Sequence, residues 1–350
     1  VCSSDLLISF LYYGGGMNER NGTIDIVKLL ASFCIIAVHI GYYEDYPVFF
    51  ADLFRVSTRW ALPFFFVAAG YFIGCSKEHS ITKRVNKLIT IFLTASVFYS
   101  LILLLKNHSD IQGQISEIFS FKFLRGIYFH LWFIPSLIIG FIGLGYMREN
   151  LSERSALIIS LIIITIVWIE DILVFLEKDV DFIFSREIMS IGLVYFGYTI
   201  AKHRIQERIS KNKSIAIMLL FIIALTAEAF ILQEITGSSS RERQFPLFCS
   251  IAAVAILITC CKIKTKEGLL SELGKRYSLA VYLYHPLFIS ASRFALSKIG
   301  VHDSFAILIM TFISTLFVLI ITDRYFNPLF RLINGDIFKR KEKEKSLINE

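Results

Sequence analysis

The sequence predicts an all-α protein: a polytopic transmembrane bundle of about ten spans with both termini in the cytoplasm. Three observations lead to this fold class. Hydrophobic residues make up 55% of the 350 residues, only 19% are charged, and apolar runs long enough to cross a bilayer recur along the chain. Because a soluble domain carries about a quarter charged residues, the composition excludes an ordinary water-soluble domain.

The predicted spans follow one another with short connections. A hydrocarbon core about 30 Å thick requires a helical run of roughly 20 apolar residues. Such runs are found at residues 24–42, 58–75, 88–105, 130–147, 155–172, 186–201, 214–233, 245–261, 277–294 and 303–322. The longest outer connection, 106–129, mixes apolar and polar residues and predicts an amphipathic helix at the outer interface.

The connections between spans indicate the orientation. Lys and Arg accumulate on the cytoplasmic side of membrane proteins. The alternate segments assigned to the inside, both termini included, hold 24 of these residues, and the segments assigned to the outside hold 11. This alternation favours an even number of spans with both termini inside. It also accounts for most of the net charge of +7, so we expect a lipid bilayer around the protein and no nucleic-acid partner.

We expect one membrane domain, residues 17–328, between two terminal segments. Residues 1–16 are a short apolar stretch that ends in three glycines, and no basic region precedes it as in a signal peptide. We interpret this stretch as upstream or non-native sequence. Residues 329–350 predict a charged cytoplasmic tail. The six cysteines show no zinc, haem or redox spacing, so no metal is expected.

The first span carries polar residues on one helical face. Ionisable side chains inside a membrane are costly and mark functional sites. Asp25, Lys28 and His39 share a face, with Lys28 near the cytoplasmic end and His39 about 16 Å further along the helix. Asp25 and Lys28 form either an ordinary i,i+3 ion pair or part of a functional site. Histidine, with an ordinary pKa of about 6.5, suits proton transfer at neutral pH.

Further candidates lie in later spans. They are Arg59 and Gly70 in the second span, His130 and Trp132 at the start of the fourth, Glu228 in the seventh and His285 in the ninth. Glu228 has no charged neighbour in its own span. It therefore either stays protonated or meets a cation such as Arg59 or a histidine from another helix. Gly70 permits close helix packing or close approach of a ligand.

Basic residues cluster on the predicted cytoplasmic side. They are Lys83, Arg84 and Lys87 before the third span, and Lys275 and Arg276 before the ninth. Ordinary positive-inside charge explains such clusters. The functional alternative is a phosphate-binding rim for an anionic donor such as coenzyme A, because Arg offers bidentate contacts and Lys a point charge.

Five segments, in this order, resemble the membrane-bound acyltransferase-3 family and its fucose O-acetylase-like branch. They read IDIVKLLASFCIIAVH, RWALPFFFVAAGYFIG, KRVNKLI, HLWFIPSL and YSLAVYLYHPLF. The resemblance runs from about Gly22 to Pro328. Lys28 and His39 match the family's pattern of a basic residue, ten residues and a histidine, with Lys where many members have Arg. Ala69 stands where the family often has serine.

The resemblance implies an O-acyltransferase of the bacterial cytoplasmic (inner) membrane. Such proteins carry an acyl group, usually acetyl from cytoplasmic acetyl-CoA, to a hydroxyl of a cell-surface sugar or polysaccharide. Acyl-CoA is then a substrate, and no bound cofactor is implied. The candidates divide into catalytic residues (His39, Arg59, Lys28, Asp25), further catalytic or acceptor-binding residues (His130, His285, Glu228, Trp132) and acyl-CoA-binding residues (Lys83, Arg84, Lys87, Lys275, Arg276, Gly70).

Two alternative functions stay open. Intramembrane histidine, glutamate and arginine also form the proton relays and substrate paths of transporters, so a polysaccharide exporter is one alternative. The departures from the family pattern at Lys28 and Ala69 keep a non-catalytic membrane sensor domain as the other. Consumption of acetyl-CoA with release of free CoA separates the acyltransferase from both.

Overall fold

The computed structural model describes residues 21–76, 80–106, 120, 122–176 and 182–336. Every regular element within these residues is a helix, which confirms the all-α fold class. Three predicted features lie mainly or wholly outside the described residues: the terminal stretch 1–16, most of the interfacial helix at 106–129, and the part of the tail from residue 337 onward.

The described residues form thirteen α-helices. These are α1 (Gly22–Ile40), α2 (Val48–Ser57), α3 (Ala61–Cys75), α4 (Ile81–Lys106), α5 (Lys122–Arg125), α6 (Phe133–Asn150), α7 (Glu153–Phe175), α8 (Phe182–Lys202), α9 (Lys211–Thr236), α10 (Leu247–Lys262), α11 (Leu269–Ser297), α12 (Ser304–Tyr325) and α13 (Asn327–Ile333). Two short 3₁₀ turns lie at Ile205–Arg208 and Ser240–Glu242.

Six helical stretches among the described residues are long and apolar enough to cross a membrane. They are Gly22–Ile40, Val48–Cys75, Ile81–Lys106, Glu153–Phe175, Lys211–Thr236 and Ser304–Tyr325. Helices α6, α8, α10 and α11 occupy the other four predicted spans, but α10 has 16 residues and the other three carry charged residues. Neighbouring helices can cover such polar groups inside a bundle. The count of ten spans and the orientation of the termini stay predictions.

Helices α1, α3, α8 and α11 form the interior of the bundle. Helix α11 packs along α1 and α12, and α8 packs against α3, α6 and α7. Glycines bring these backbones together. A Cβ atom added to Gly70 would lie 1.9 Å from the carbonyl oxygen of Val194, and one added to Gly274 would lie 1.9 Å from that of Asp25. By contrast α9 buries few residues and presents an apolar outer surface, as a helix facing lipid does.

The connections between helices gather at two opposite ends, named here the Lys28 end and the His39 end of α1. At the Lys28 end, Thr23 in the first turn of α1 lies 3.0 Å from Thr265 in the α10–α11 connection. At the His39 end, the hydroxyl of Tyr46 donates to Asp303 at 2.5 Å, and this hydrogen bond raises the pKa of Tyr46 to about 12. Each of these two contacts joins parts of the chain that the sequence assigns to the same side of the membrane.

The folded part runs past residue 328, where the sequence predicts the tail to start. Phe330 on α13 is buried, and Asp336 forms an ion pair with Lys87 of α4 at 3.2 Å. Residues 329–336 therefore belong to the packed bundle, because an apolar side chain and a charge pair anchor them at the Lys28 end.

Candidate functional site

Helix α1 carries its polar side chains along a buried face, as their spacing predicts. Asp25, Lys28 and Ser32 are buried, and His39 is half-buried. The Nζ atom of Lys28 lies 3.1 Å from Oδ1 of Asp25. Ser32 Oγ lies 2.9 Å from the carbonyl oxygen of Lys28 and 3.1 Å from that of Ser278 on α11. The i,i+3 pair is thus part of the bundle interior.

Three predicted histidines come together at the His39 end. The ring of His285 stacks on the ring of His39 with 5.2 Å between centroids and 24° between planes, and it lies 5.5 Å from the ring of His130. His130 and His285 are fully buried, whereas part of His39 is accessible. No described residue makes a hydrogen bond with the ring of His39. We call these three residues the histidine cluster.

Pro286 determines which nitrogen of His285 carries the hydrogen. Proline has no N–H for the carbonyl one turn earlier, that of Tyr282. Instead, His285 Nδ1 lies 2.7 Å from this carbonyl oxygen. Because a carbonyl only accepts, Nδ1 must donate and Nε2 holds the lone pair. Nε2 is buried and, among the described residues, has no hydrogen-bond partner. His285 therefore presents an unused hydrogen-bond acceptor inside the bundle.

His130 is fixed to the same part of α11. Its Nε2 lies 2.8 Å from the carbonyl oxygen of Leu283, which also accepts from the hydroxyl of Tyr99 at 2.8 Å. The hydroxyl of Tyr282 donates to the carbonyl oxygen of His130. Since Nε2 must donate, Nδ1 of His130 holds the second lone pair of the cluster, again without a partner in the described part of the chain.

Arg59 lies at the same end, immediately before α3. Its Nη2 is 3.4 Å from the carbonyl oxygen of Arg241, and its Nε is buried without a hydrogen-bond partner among the described residues. Trp132 packs elsewhere: the guanidinium of Arg186 lies 4.8 Å over its ring, and the ring of Phe245 lies 6.2 Å away. Arg59 therefore lies at the same end of the bundle as the histidine cluster, and Trp132 packs against Arg186 and Phe245.

Glu228 belongs to a separate buried network. Its Oε1 accepts from Nη2 of Arg243 at 2.9 Å and from the indole N–H of Trp168 at 2.8 Å. The carboxylate also accepts from the first two backbone N–H groups of α10, at 3.0 and 3.1 Å. Arg243, which is fully buried, pairs with Asp171 at 2.6 Å as well. The cation that Glu228 meets is Arg243, not Arg59 or a histidine, and Glu228 caps α10.

A cavity of about 140 Å³ lies at the Lys28 end. Cationic side chains form one part of its wall: Lys28, Arg84, Lys87, Lys275 and Arg276. Apolar side chains form much of the rest: Phe65, Ala68, Ala69, Phe72, Leu88, Ile91, Phe133, Leu137, Phe141 and Leu279. The fold therefore assembles four of the five basic residues that the sequence assigned to acyl-CoA, together with Lys28 of α1.

Arg84 is distinct among the cations of this cavity. The others have carboxylate partners: Lys28 has Asp25 at 3.1 Å, Lys87 has Asp336 at 3.2 Å, Lys275 has Glu272 at 3.6 Å and Arg276 has Asp323 at 2.7 Å. Arg84 is 6% exposed, forms no ion pair with a described residue, and its Nη1 has no hydrogen-bond partner among them. An anion in the cavity would satisfy it.

Two residues assigned to acyl-CoA binding lie outside this cavity. Lys83 points outward and is exposed. Gly70 packs against the backbone of α8 at Val194, so the structure gives it a helix-packing role. Its neighbour Ala69 does line the cavity, at the position where the family pattern often has serine.

The ring of Tyr282 lies next to both the cavity wall and the histidine cluster. Phe133 on the cavity wall lies 4.9 Å from the ring of Tyr282, measured between centroids. The same tyrosine ring lies 5.8 Å from His130 and 6.1 Å from His285. The two candidate regions are therefore neighbours inside the bundle.

Sequence reasoning missed two arginines beside the histidine cluster. Arg55 donates to the carbonyl oxygens of Val38 and Gly41 at 2.7 and 2.6 Å, and Arg293 donates to that of Ile40. They satisfy the carbonyl groups and partial negative charge at the C-terminal end of α1. In the sequence both are ordinary outer charges, because nothing local indicates which helix end they reach.

The structure is a helical bundle with a histidine cluster near one end of α1 and a cationic cavity at the other, and these are its two candidate functional regions. A comparison with known protein families gives the family to which this bundle belongs. The family model described as the acyltransferase domain of the acyltransferase-3 family matches residues 21–324. The chain therefore belongs to this family of membrane proteins. Its assignment to the fucose O-acetylase-like branch stays a prediction.

Curated relatives of the chain carry racemase names. An amino-acid racemase of Enterococcus faecalis is 24% identical over 298 residues, which cover 78% of this chain and 42% of the relative. A serine/alanine racemase of Enterococcus gallinarum is 23% identical over 146 residues, 39% of this chain and 21% of the relative. The chain thus spans less than half the length of these relatives. No solved structure matches it significantly.

Proposed function

We propose that this protein is a membrane O-acyltransferase that moves a short acyl group, acetyl in the first instance, from cytoplasmic acyl-CoA to a hydroxyl of a cell-surface sugar or polysaccharide. The observation that carries the proposal is the placement of Lys28 in a cationic cavity and His39 in a histidine cluster on one buried helix. Membership of the acyltransferase-3 family supports it.

The cavity suits the donor. Coenzyme A carries several phosphate charges, and a buried guanidinium binds phosphate through two parallel N–H groups. Arg84 has this capacity unused, and Lys87, Lys275 and Arg276 add positive charge around it. The phenylalanine-rich wall fits the apolar parts of the pantetheine arm and acyl group. Donor phosphates then bind at the cationic side while the thioester points toward Tyr282.

The histidine cluster supplies the proton transfers. The acceptor hydroxyl gives its proton to a ring nitrogen of His39 as its oxygen attacks the thioester carbonyl. The carbon–sulfur bond then breaks, and the proton passes to the sulfur of the departing CoA. A transient acyl group on His39 is the two-step version of the same transfer. His39 takes this role because it is the accessible member of the cluster.

The other residues orient these steps. His285 stacks on His39 and offers Nε2 as a hydrogen-bond acceptor, and His130 holds the α11 backbone beside it. Arg59 binds the acceptor or the negative charge that develops on the carbonyl oxygen. Asp25 and Lys28 form the end of the polar face of α1 that lies nearest the acyl-CoA donor. Racemisation is not carried over, because the match leaves more than half of the racemase unmatched.

The test uses membranes that contain the wild-type protein, His39→Ala or His302→Ala, supplied with acetyl-CoA labelled in the acetyl group. His302 is exposed at the same end and serves as the matched control. We expect label in polymeric glycan and equimolar free CoA with the wild type and His302→Ala, and neither with His39→Ala. No CoA release by the folded wild-type protein would contradict acyl transfer and favour the exporter.

A further inference from the structure

Two arginines converge on a single backbone oxygen next to the histidine cluster. Nε of Arg55 lies 3.1 Å and Nη2 of Arg59 lies 3.4 Å from the carbonyl oxygen of Arg241. Two guanidinium groups on one acceptor lie side by side, and their like charges repel each other. Arg55 also donates to the carbonyl oxygen of Val38 at 2.7 Å, and Val38 directly precedes His39.

The nearby carboxylates are engaged with other partners. Asp52 pairs with Arg241 at 2.6 Å, and Asp171 pairs with Arg243 at 2.6 Å. Glu242 is exposed and accepts from the hydroxyl of Tyr42 at 3.2 Å. Within the described ranges, neither of the two converging arginines has a carboxylate within 4.0 Å. Positive charge at this place is therefore left without a close counter-ion.

The two arginines are not equivalent. Arg55 caps the C-terminal end of α1 through the carbonyl oxygens of Val38 and Gly41, so the helix dipole offsets part of its charge. Arg59 caps no helix end. Among the described residues, its one hydrogen bond is the long bond to the carbonyl oxygen of Arg241, and its buried Nε has no partner there. Arg59 therefore holds an unsatisfied donor and, within the described ranges, a charge with no carboxylate at ion-pair distance.

We infer that Arg59, with Arg55 beside it, binds an anionic group of the acceptor, either a carboxylate or a phosphate on the sugar. This inference rests on the proposed function and narrows its substrate class. The guanidinium fork holds such a group in a fixed orientation. A neighbouring hydroxyl of the same sugar is then directed toward His39. A neutral acceptor would leave the two arginines repelling each other inside the protein.

The test compares three probes that differ only at carbon 6: methyl glucoside, methyl glucuronide and methyl glucoside 6-phosphate. Binding to the purified full chain is measured by thermal stabilisation without acyl-CoA. We expect one or both charged probes to bind at least about 10-fold more tightly than the glucoside. Arg59→Gln removes this preference and Arg59→Lys keeps part of it. Arg154→Gln, an exposed arginine at the Lys28 end, leaves it unchanged.

Comparable binding of all three probes, binding of none, or a charge preference that survives Arg59→Gln would overturn the inference. Which charged probe binds separates a carboxylate acceptor from a phosphate acceptor. Addition of labelled acetyl-CoA then tests the reaction itself. Transfer to the glucoside as efficient as transfer to the charged probes would keep the acyltransferase and refute the anionic acceptor. A charge preference without CoA release would keep the anion site and refute the acyltransferase.

Discussion

At His285, a side chain replaces a backbone hydrogen-bond donor that the following proline removes. Pro286 takes one N–H away from α11, and the imidazole supplies the missing donor to the carbonyl of Tyr282. The tautomer of His285 is thereby fixed within one turn of α11, by Pro286 and the Tyr282 carbonyl. The sequence predicts that His285 projects into the membrane interior, but its stacking on His39 follows from the packing of α1 on α11, two helices far apart in the chain.

The lone pair on His285 Nε2 gives a first prediction. In His285→Asn the side-chain amide still donates to the Tyr282 carbonyl, but no atom replaces Nε2. We expect acyl transfer to fall about 100-fold, the size typical of a lost acid–base or orienting group, while the thermal midpoint stays near that of the wild type. A wild-type transfer rate in this variant would show that only the backbone bond matters.

Arg84 gives a second prediction at the scale of single residues. In Arg84→Gln the cavity loses its unpaired cation, so we expect KM for acetyl-CoA to rise about 10- to 100-fold with little change in kcat, as for the loss of one charge-assisted hydrogen bond. The adjacent exposed residue provides the control, because Lys83→Gln removes the same charge outside the cavity. Equal effects of the two substitutions would place the donor phosphates elsewhere.

Among helices, glycine positions determine how closely the interior of the bundle packs. Gly70 and Gly197 let α3 and α8 approach each other, because a Cβ at either would lie 1.9 Å from a carbonyl oxygen of the facing helix. Glycine in an apolar helix predicts either close packing or ligand approach, and sequence alone does not choose. The identity of the facing helix decides, and α8 is distant from α3 in the chain.

The packing role of Gly70 is testable with a matched pair of substitutions. Gly70→Ala forces the backbones of α3 and α8 apart, so we expect a lower thermal midpoint and a smaller folded fraction after extraction from the membrane. Gly268→Ala is the control, since a Cβ there meets no atom within 4 Å and its backbone is extended. A wild-type midpoint for Gly70→Ala, together with a raised KM for acetyl-CoA, would instead support the ligand-approach interpretation.

The sequence predicted the positions of the helices more accurately than it predicted what surrounds each helix. Long apolar runs predicted helices that the fold contains, because lipid and a helical core both select apolar residues. The short helix α2 was missed, since its ten residues are too few to span a membrane. The Glu228–Arg243–Asp171 network was also missed, because its three charges come from α7, α9 and the connection before α10.

For the whole molecule, the alternation of basic residues predicts that the Lys28 end faces the cytoplasm. Cys75 is exposed at this end, and Lys298 is exposed at the other. In a background without other cysteines, we expect a membrane-impermeant maleimide added to intact cells to label Lys298→Cys and to leave Cys75 unlabelled until the membrane is opened. Labelling of Cys75 in intact cells would reverse the orientation.

The functional predictions also divide into what the sequence indicates and what the fold adds. Charge alternation and motif order led to the family and to two groups of candidate residues. The fold then brought Arg84, Lys87, Lys275 and Arg276 to one cavity and the three histidines to one cluster. What sequence alone did not contain is the set of partners that each charge acquires, since those partners come from distant helices.

In the proposed mechanism, donor and acceptor meet inside the bundle from opposite faces of the membrane. Sealed right-side-out and inside-out membrane vesicles, each given labelled acetyl-CoA from outside only, distinguish the face that the donor enters. We expect label in the acceptor and free CoA only from inside-out vesicles, where the Lys28 end is accessible, and neither when Arg84→Gln replaces the wild type at low acetyl-CoA. Transfer confined to right-side-out vesicles would mean that the donor does not enter at the Lys28 end, and no CoA release from either would rule out acyl transfer.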